Sequence, residues 1–143
     1  MRYLGLDVGK KNIGIAVGEV LASELTTLRC KSESFYEDPG LTQAVKDIKA
    51  LIEEEEVDAV VAGLPVNEEG GETQESKLIR TFGAALEDKL NIDLHYVNET
   101  LTSFMAQDML EEQGVSKEEA NKRVDQMAAT LILQQYLEDN AVV

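Results

Sequence analysis

The sequence predicts a single α/β domain over residues 1–143, a mixed five-stranded sheet in the order βββαβαβαα with helices on both faces. Three observations carry that expectation. Hydrophobicity alternates with period two through residues 2–19, the period lengthens to that of a helix over 41–55, and two later short apolar runs each follow a helical stretch. An antiparallel start followed by βα crossovers gives such a sheet.

Residues 2–8 (RYLGLDV) set Leu4, Leu6 and Val8 on one face and Tyr3, Gly5 and Asp7 on the other. A second strand at 12–19 follows across Gly-Lys-Lys, short enough for a hairpin in which Gly9 supplies a permissive backbone. A third strand is expected at 25–31. From 41 to 55, Leu41, Val45, Ile48, Leu51 and Ile52 form one helical stripe above a charged face. The apolar run Val57 to Leu64 ends in Gly63-Leu64-Pro65 and reads as a buried parallel strand entering a loop. VNEEGGETQ at 66–74 is the most loop-like internal segment, read as a solvated loop rather than a lid. Leu78, Ile79, Phe82, Leu86 and Leu90 mark a helix at 75–90, and IDLHYV a strand at 92–97. Ser103 can cap a helix ending at Gly114, and Ser116 with Glu119 makes a capping box for a last helix reaching about residue 139.

Composition narrows the class. With 143 residues and 43% hydrophobic content the chain can bury one real core. No stretch nears the roughly 20 apolar residues of a membrane span, so a soluble, unexported, cytoplasmic protein with no membrane partner is expected. The sole cysteine, Cys30, reads as a small core residue. The sole histidine, His95, reads as structural, since one histidine without a cysteine partner cannot build a zinc site. Phe104, Met105 and Met109 read as core. The 28 acidic and 13 basic residues leave a net charge of -15, the opposite of most nucleic-acid binders, so any phosphate-binding surface must be local. Lys10, Lys11, Lys77, Arg80, Lys122 and Arg123 lie close in sequence to the motifs expected at one site.

Chemistry enters with Asp125. At helical spacing it shares a stripe with Ala128, Ala129 and Ile132, so its carboxylate faces the side that packs on the sheet. A buried charge there needs a compensator, either a cation such as Lys10 or Arg80 or a metal. Asp7 lies on the strand face opposite Leu4 and Leu6, and Glu99 just past the last strand, so the two acids reach one edge of the sheet on adjacent or near-adjacent strands. In open sheets, sites form beyond the carboxyl ends of strands. Three crowded carboxylates call for a counter-charge, and hard oxygen donors suit Mg²⁺ or Mn²⁺. Two such ions about 3.5 to 4 Å apart can activate water and align a phosphodiester, which makes phosphodiester hydrolysis the expected reaction. Gly5, Gly14 and Gly18 leave room on this face, more often a packing accommodation than a substrate contact.

Four segments, LGLDVGKKNIGIAV (4–17), VAGLPVNEEGGE (61–72), VNETLTS (97–103) and VDQMAATLILQQYL (124–137), resemble in order and spacing the blocks of the YqgF/RuvX family of small bacterial proteins. That family is described as Holliday junction resolvases and as nucleases processing the 5′ end of pre-16S ribosomal RNA. The resemblance implies a ribonuclease H-like fold and a divalent-metal site with Asp7, Glu99 and Asp125 at the family's three carboxylate positions. Where the family often has Asp-Glu-Arg this chain has Asn98-Glu99-Thr100, and where it often has arginine this chain has Asn12.

The expected function is therefore a metal-dependent nuclease acting on nucleic acid, with structured RNA, pre-16S rRNA, favoured over branched DNA. Asp7, Glu99 and Asp125 are the expected catalytic metal ligands. Lys10, Lys11 and Lys122 would hold phosphates, and Asn67 and Thr102 backbone oxygens. An RNA end-trimming enzyme can be a monomer, whereas a Holliday junction resolvase requires a symmetric dimer, so a monomer or weak homodimer is expected. A non-catalytic ribosome-assembly binding module is the rival that the net charge, Asn12, Asn98 and Thr100 favour. Asp7 beside a glycine-bearing hairpin also resembles the first phosphate loop of actin-like ATPases, but that class needs two domains and a second phosphate loop.

Overall fold

The computed structural model describes residues 1–67, 69–99 and 108–140, and in the last helix the side chains of 119 and of 123 onward. Its elements are Tyr3–Val8 (β1), Asn12–Gly18 (β2), Ala22–Arg29 (β3), Gly40–Glu54 (α1), Ala59–Pro65 (β4), Gln74–Leu90 (α2), Asp93–Glu99 (β5), a helical segment at 108–112 (α3) and Lys117–Asp139 (α4). One five-stranded sheet runs in the order β3-β2-β1-β4-β5. The β1–β2 and β2–β3 pairs are antiparallel, and β1–β4 and β4–β5 are parallel. This is the mixed α/β architecture that the change of hydrophobic period predicts.

Period-two alternation in β1 sorts the two faces. Leu4, Leu6 and Val8 join Ile48 of α1 and Ile79, Phe82 and Leu86 of α2 in the larger core. On the opposite face Ala129, Ile132 and Leu133 of α4 pack against Ala16 and Val61, with Tyr3 and Val97 alongside. Leu110 of α3 packs with Met127 and Ala128, with Met109 beside them. Helices thus cover both faces, and α4 lies over the face that holds Asp7.

Close approach of α4 depends on glycine. A Cβ on Gly14 would stand 1.8 Å from the Asp125 carbonyl oxygen, and one on Gly5 2.7 Å from Leu133 Cβ. Packing is therefore the use of both residues, whereas Gly18 faces its own turn at Leu21. Gly9 does not exploit its backbone freedom. Its N–H donates to the Asn12 carbonyl at 2.9 Å, and positive φ among the described glycines belongs to Gly70 and Gly114. Gly114 is the expected helix stop, and Ser116 caps α4 by accepting from the Glu119 N–H at 3.2 Å.

Two strand boundaries differ from expectation. β3 starts at Ala22 and leaves the ladder after Arg29, where the Cys30 N–H turns to the Lys11 carbonyl at 2.8 Å. β5 continues through Asn98 to Glu99, because its pairing with β4 runs on to Pro65↔Glu99. Backbone hydrogen bonding to a buried neighbour outweighs the polar side chains there, so Glu99 is the last residue of the strand, not a residue beyond it. His95 is exposed and stacks on Tyr136 with ring centroids 5.4 Å apart. Cys30 is half-buried at the edge of the larger core. No helix among the described residues is long and apolar enough to cross a membrane.

Candidate active site

At the carboxyl end of β1, Asp7, Val8 and the turn Gly9-Lys10-Lys11-Asn12 form one wall of a cleft of about 290 Å³. Pro65, Glu75, Ile79, Glu99 and Asp125 complete it. Asp7 comes from the strand face that alternation turns toward α4. Glu99 comes from β5, two strands away, and β4 lies between. The bridge across β4 is Gly63, where a Cβ would stand 2.2 Å from Glu99 Oε2 and 2.6 Å from Ile132 Cδ1. Lack of a side chain at that one position makes the slot in which the Glu99 carboxylate lies. Asp125 is delivered by α4, which Ala129, Ile132 and Leu133 hold against the sheet.

Burial and mutual repulsion both act on these acids. Desolvation, followed by the charges of Glu99, Asp125 and Glu75, pushes Asp7 up to about 8. Glu99 is pushed up to about 7 by desolvation and by Glu75. Desolvation also raises Asp125, while the nearby charge of Arg29 opposes the rise. Glu99 Oε2 is buried with no hydrogen-bond partner among the described residues. An acceptor-only oxygen held that way lacks a cation or a donor, and hard carboxylate oxygens are the donor set of Mg²⁺ and Mn²⁺. No three acidic, histidine or cysteine side chains among the described residues make a ready-made metal cage. Carboxylates spread along an open cleft suit Mg²⁺, which is usually held by one or two carboxylates while water and substrate phosphates fill its other positions.

Among the residues expected to touch substrate, Lys10 and Lys11 line the cleft, and Lys11 Nζ already donates to the Ser32 carbonyl. Asn67 folds its own loop instead. Its Oδ1 accepts from the Glu69 N–H at 2.9 Å and the Gly71 N–H at 2.8 Å, and the residue does not line the cleft. Thr102 and the side chain of Lys122 lie outside the described residues, as do the expected cap at Ser103 and Phe104 and Met105. Neither Lys10 nor Arg80 pairs with Asp125: Arg80 binds Glu72 and sits over the Tyr96 ring at 5.2 Å, and Arg123 binds Glu24 at 2.8 Å.

Sequence reasoning missed Glu75, Arg29 and Gly63. Glu75 sits in the first turn of α2, behind a Thr73–Ser76 capping box, with its carboxylate at the cleft rim. The available signal was that a helix following a parallel strand begins at the site edge of the sheet. Arg29 is the cross-strand partner of Asn12, which correct β3 boundaries would have revealed.

A family model described as "RuvX: Holliday junction resolvase" matches residues 1–139. A "Putative pre-16S rRNA nuclease" of Lactobacillus gasseri is 37% identical over 143 residues, covering 96% of each chain. A Clostridium botulinum protein of the same name is 37% identical over 141 residues, with 96% of this chain and 97% of that one covered. Among solved structures, Thermus thermophilus RuvC in complex with a Holliday junction substrate superposes with a TM-score of 0.61 at 13% identity over 97% of this chain and 94% of that one. A second structure of T. thermophilus RuvC gives a TM-score of 0.54 at 11% identity over 99% and 98%. At such identities the two structures bear on the fold alone.

Proposed function

The chain belongs to the RuvX family, nucleases that hydrolyse phosphodiester bonds, and from that premise we propose that it cleaves the 5′ region of pre-16S rRNA with Asp7, Glu99 and Asp125 as its catalytic acids. The observation that carries the assignment is that three carboxylates from β1, β5 and α4 line one cleft, and that burial raises each of them. The choice of RNA over branched DNA rests on the names of the relatives at 37% identity.

Divalent ions bound there would supply a hydroxide-like nucleophile near neutral pH and offset charge on the leaving oxygen. Asp7 and Asp125, which line the same cleft, would be direct ligands of such ions. Glu99, with one oxygen unpartnered in the Gly63 slot, would be a further ligand or orient the attacking water. Lys10 and Lys11 stand on the β1–β2 turn at the cleft mouth, where an ammonium can hold the phosphates flanking the scissile one. Lys122 and Thr102 are assigned to the same strand of substrate, whereas Asn67, which folds its own loop away from the cleft lining, is not. Cytoplasmic action as a monomer or weak homodimer fits a substrate with a single scissile end.

The test sets a pre-16S 5′ fragment beside a four-way DNA junction, each with Mg²⁺, Mn²⁺ or EDTA. Metal-dependent cutting of the RNA alone is the expected result. Cutting of the junction alone would move the substrate to branched DNA. Silence on both would favour the binding module, which the net charge of -15 supports.

A further inference from the structure

Next to the cleft-lining Asn12 stands an arginine in a different electrostatic situation from the other three in the chain. Arg2, Arg80 and Arg123 each pair with a glutamate. Arg29, at the end of β3, makes no ion pair among the described residues, and its Nη1 donates to Asn12 Oδ1 at 3.0 Å. Asn12 is its cross-strand partner and lines the cleft. A carboxamide can fix a guanidinium in place without neutralising it, whereas any of the chain's 28 acids would do both.

The backbone beneath Arg29 is held as well. Its carbonyl accepts from Gln43 Nε2 at 3.0 Å, and the next N–H, of Cys30, donates to the Lys11 carbonyl in the cleft turn at 2.8 Å. The side chain is exposed, and its charge is felt at Asp125, which lines the cleft. With one donor committed to Asn12, the planar fork keeps further N–H groups for an oxyanion arriving from solvent, the geometry in which arginine binds phosphate.

We propose that Arg29, oriented by Asn12, is a substrate-binding residue that clamps a backbone phosphate of the nucleic acid on the Asp125 side of the cleft. This rests on the nuclease reading and adds to it a contact made by β3. The clamp belongs to binding, so its loss appears in affinity and salt dependence more than in turnover.

The experiment compares wild type, Arg29→Gln, Arg29→Lys and Asn12→Ala in binding a fluorescently labelled pre-16S 5′ fragment over a salt series, with kcat and KM measured on the same RNA in Mg²⁺. Arg29→Gln should weaken binding and raise KM by about tenfold with kcat within about threefold, and the slope of log affinity against log salt should flatten by about 0.7–0.9, the mark of one lost phosphate contact. Arg29→Lys should keep the slope, and Asn12→Ala should lose affinity while keeping it. An unchanged slope and KM in Arg29→Gln, or a fall in kcat alone, would overturn the clamp. Wild type that binds but does not cut would overturn the nuclease reading while the slopes still judge Arg29, and wild type that does neither would overturn both.

Discussion

Gly14→Ala is the perturbation whose consequences the structure fixes most closely. Gly14 stands opposite Asp7 in the β1–β2 ladder, and a Cβ there would lie 1.8 Å from the Asp125 carbonyl oxygen, 2.2 Å from its carbonyl carbon and 2.9 Å from the Gln126 nitrogen. Ordinary contact begins at 3.4 Å, so one backbone must retreat from the other by more than 1 Å. Neither is a flexible side chain that can swing aside. Overpacking of this kind costs about 2 kcal/mol, typically within 1–3 kcal/mol. For a chain of 143 residues that corresponds to a melting temperature lower by about 7 °C. The larger effect should fall on catalysis, because the helix that moves carries Asp125, and a displacement of about 1 Å in a reacting group costs about 10²-fold. Thermal unfolding followed by circular dichroism, with cleavage assayed well below the variant's transition, separates the two effects. Gly14→Ala with unchanged melting temperature and unchanged rate would refute the close approach of β2 and α4, and with it the account of how Asp125 reaches the cleft.

Other outcomes follow from the same geometry. The folded protein holds a proton on Asp7 up to about pH 8, and on Glu99 up to about pH 7, where the unfolded chain has released it. Metal-free stability should therefore be highest at acid pH as far as these groups are concerned, and should fall as pH rises from about 4 to about 8. Asp7→Asn should remove most of that slope and, at pH 8, exceed wild type by more than about 1.4 kcal/mol, the worth of one unit of such a shift, read by urea unfolding in EDTA. Since those protons must leave before a cation binds, the stabilisation given by Mn²⁺ in a melting assay should grow between pH 6 and pH 8; a pH-independent shift would contradict the crowded-carboxylate account. Thr73→Ala removes the hydroxyl that accepts from the Ser76 N–H at 3.0 Å and should cost about 1 kcal/mol in chemical unfolding. Tyr36→Phe deletes a buried hydroxyl with no hydrogen-bond partner among the described residues, so stability should be unchanged or rise by up to about 1 kcal/mol; a loss above that would reveal a partner.

What the sequence made legible is what periodicity encodes. Leu4, Leu6 and Val8 against Asp7, and Asp125 among Ala128, Ala129 and Ile132, are one-dimensional patterns that fix a face, and faces decide which acids can meet. Glu99 was legible as an acid at the right sheet edge but was set beyond the strand, because Asn98 and Glu99 lack strand-like side chains while their backbones still pair with Leu64 and Pro65. Gly63 and Arg29 were hidden for a different reason. Their roles depend on neighbours one strand away, on cross-strand register and on an empty volume, and neither leaves a mark in local composition. The six basic residues gathered by sequence proximity show the same limit. Arg80 and Arg123 are taken up by Glu72 and Glu24, while Arg29, outside that group, is hydrogen-bonded to the cleft-lining Asn12.

Single-turnover cleavage of a pre-16S 5′ fragment in Mn²⁺ by Asp7→Asn, Glu99→Gln and Asp125→Asn, beside wild type and with folding checked by circular dichroism, tests the central claim most directly. The account predicts that each amide abolishes cutting while the fold is kept, since the three acids act as one site. Normal cleavage by any folded variant would remove that residue from the site, and normal cleavage by all three would place the chemistry elsewhere on the protein.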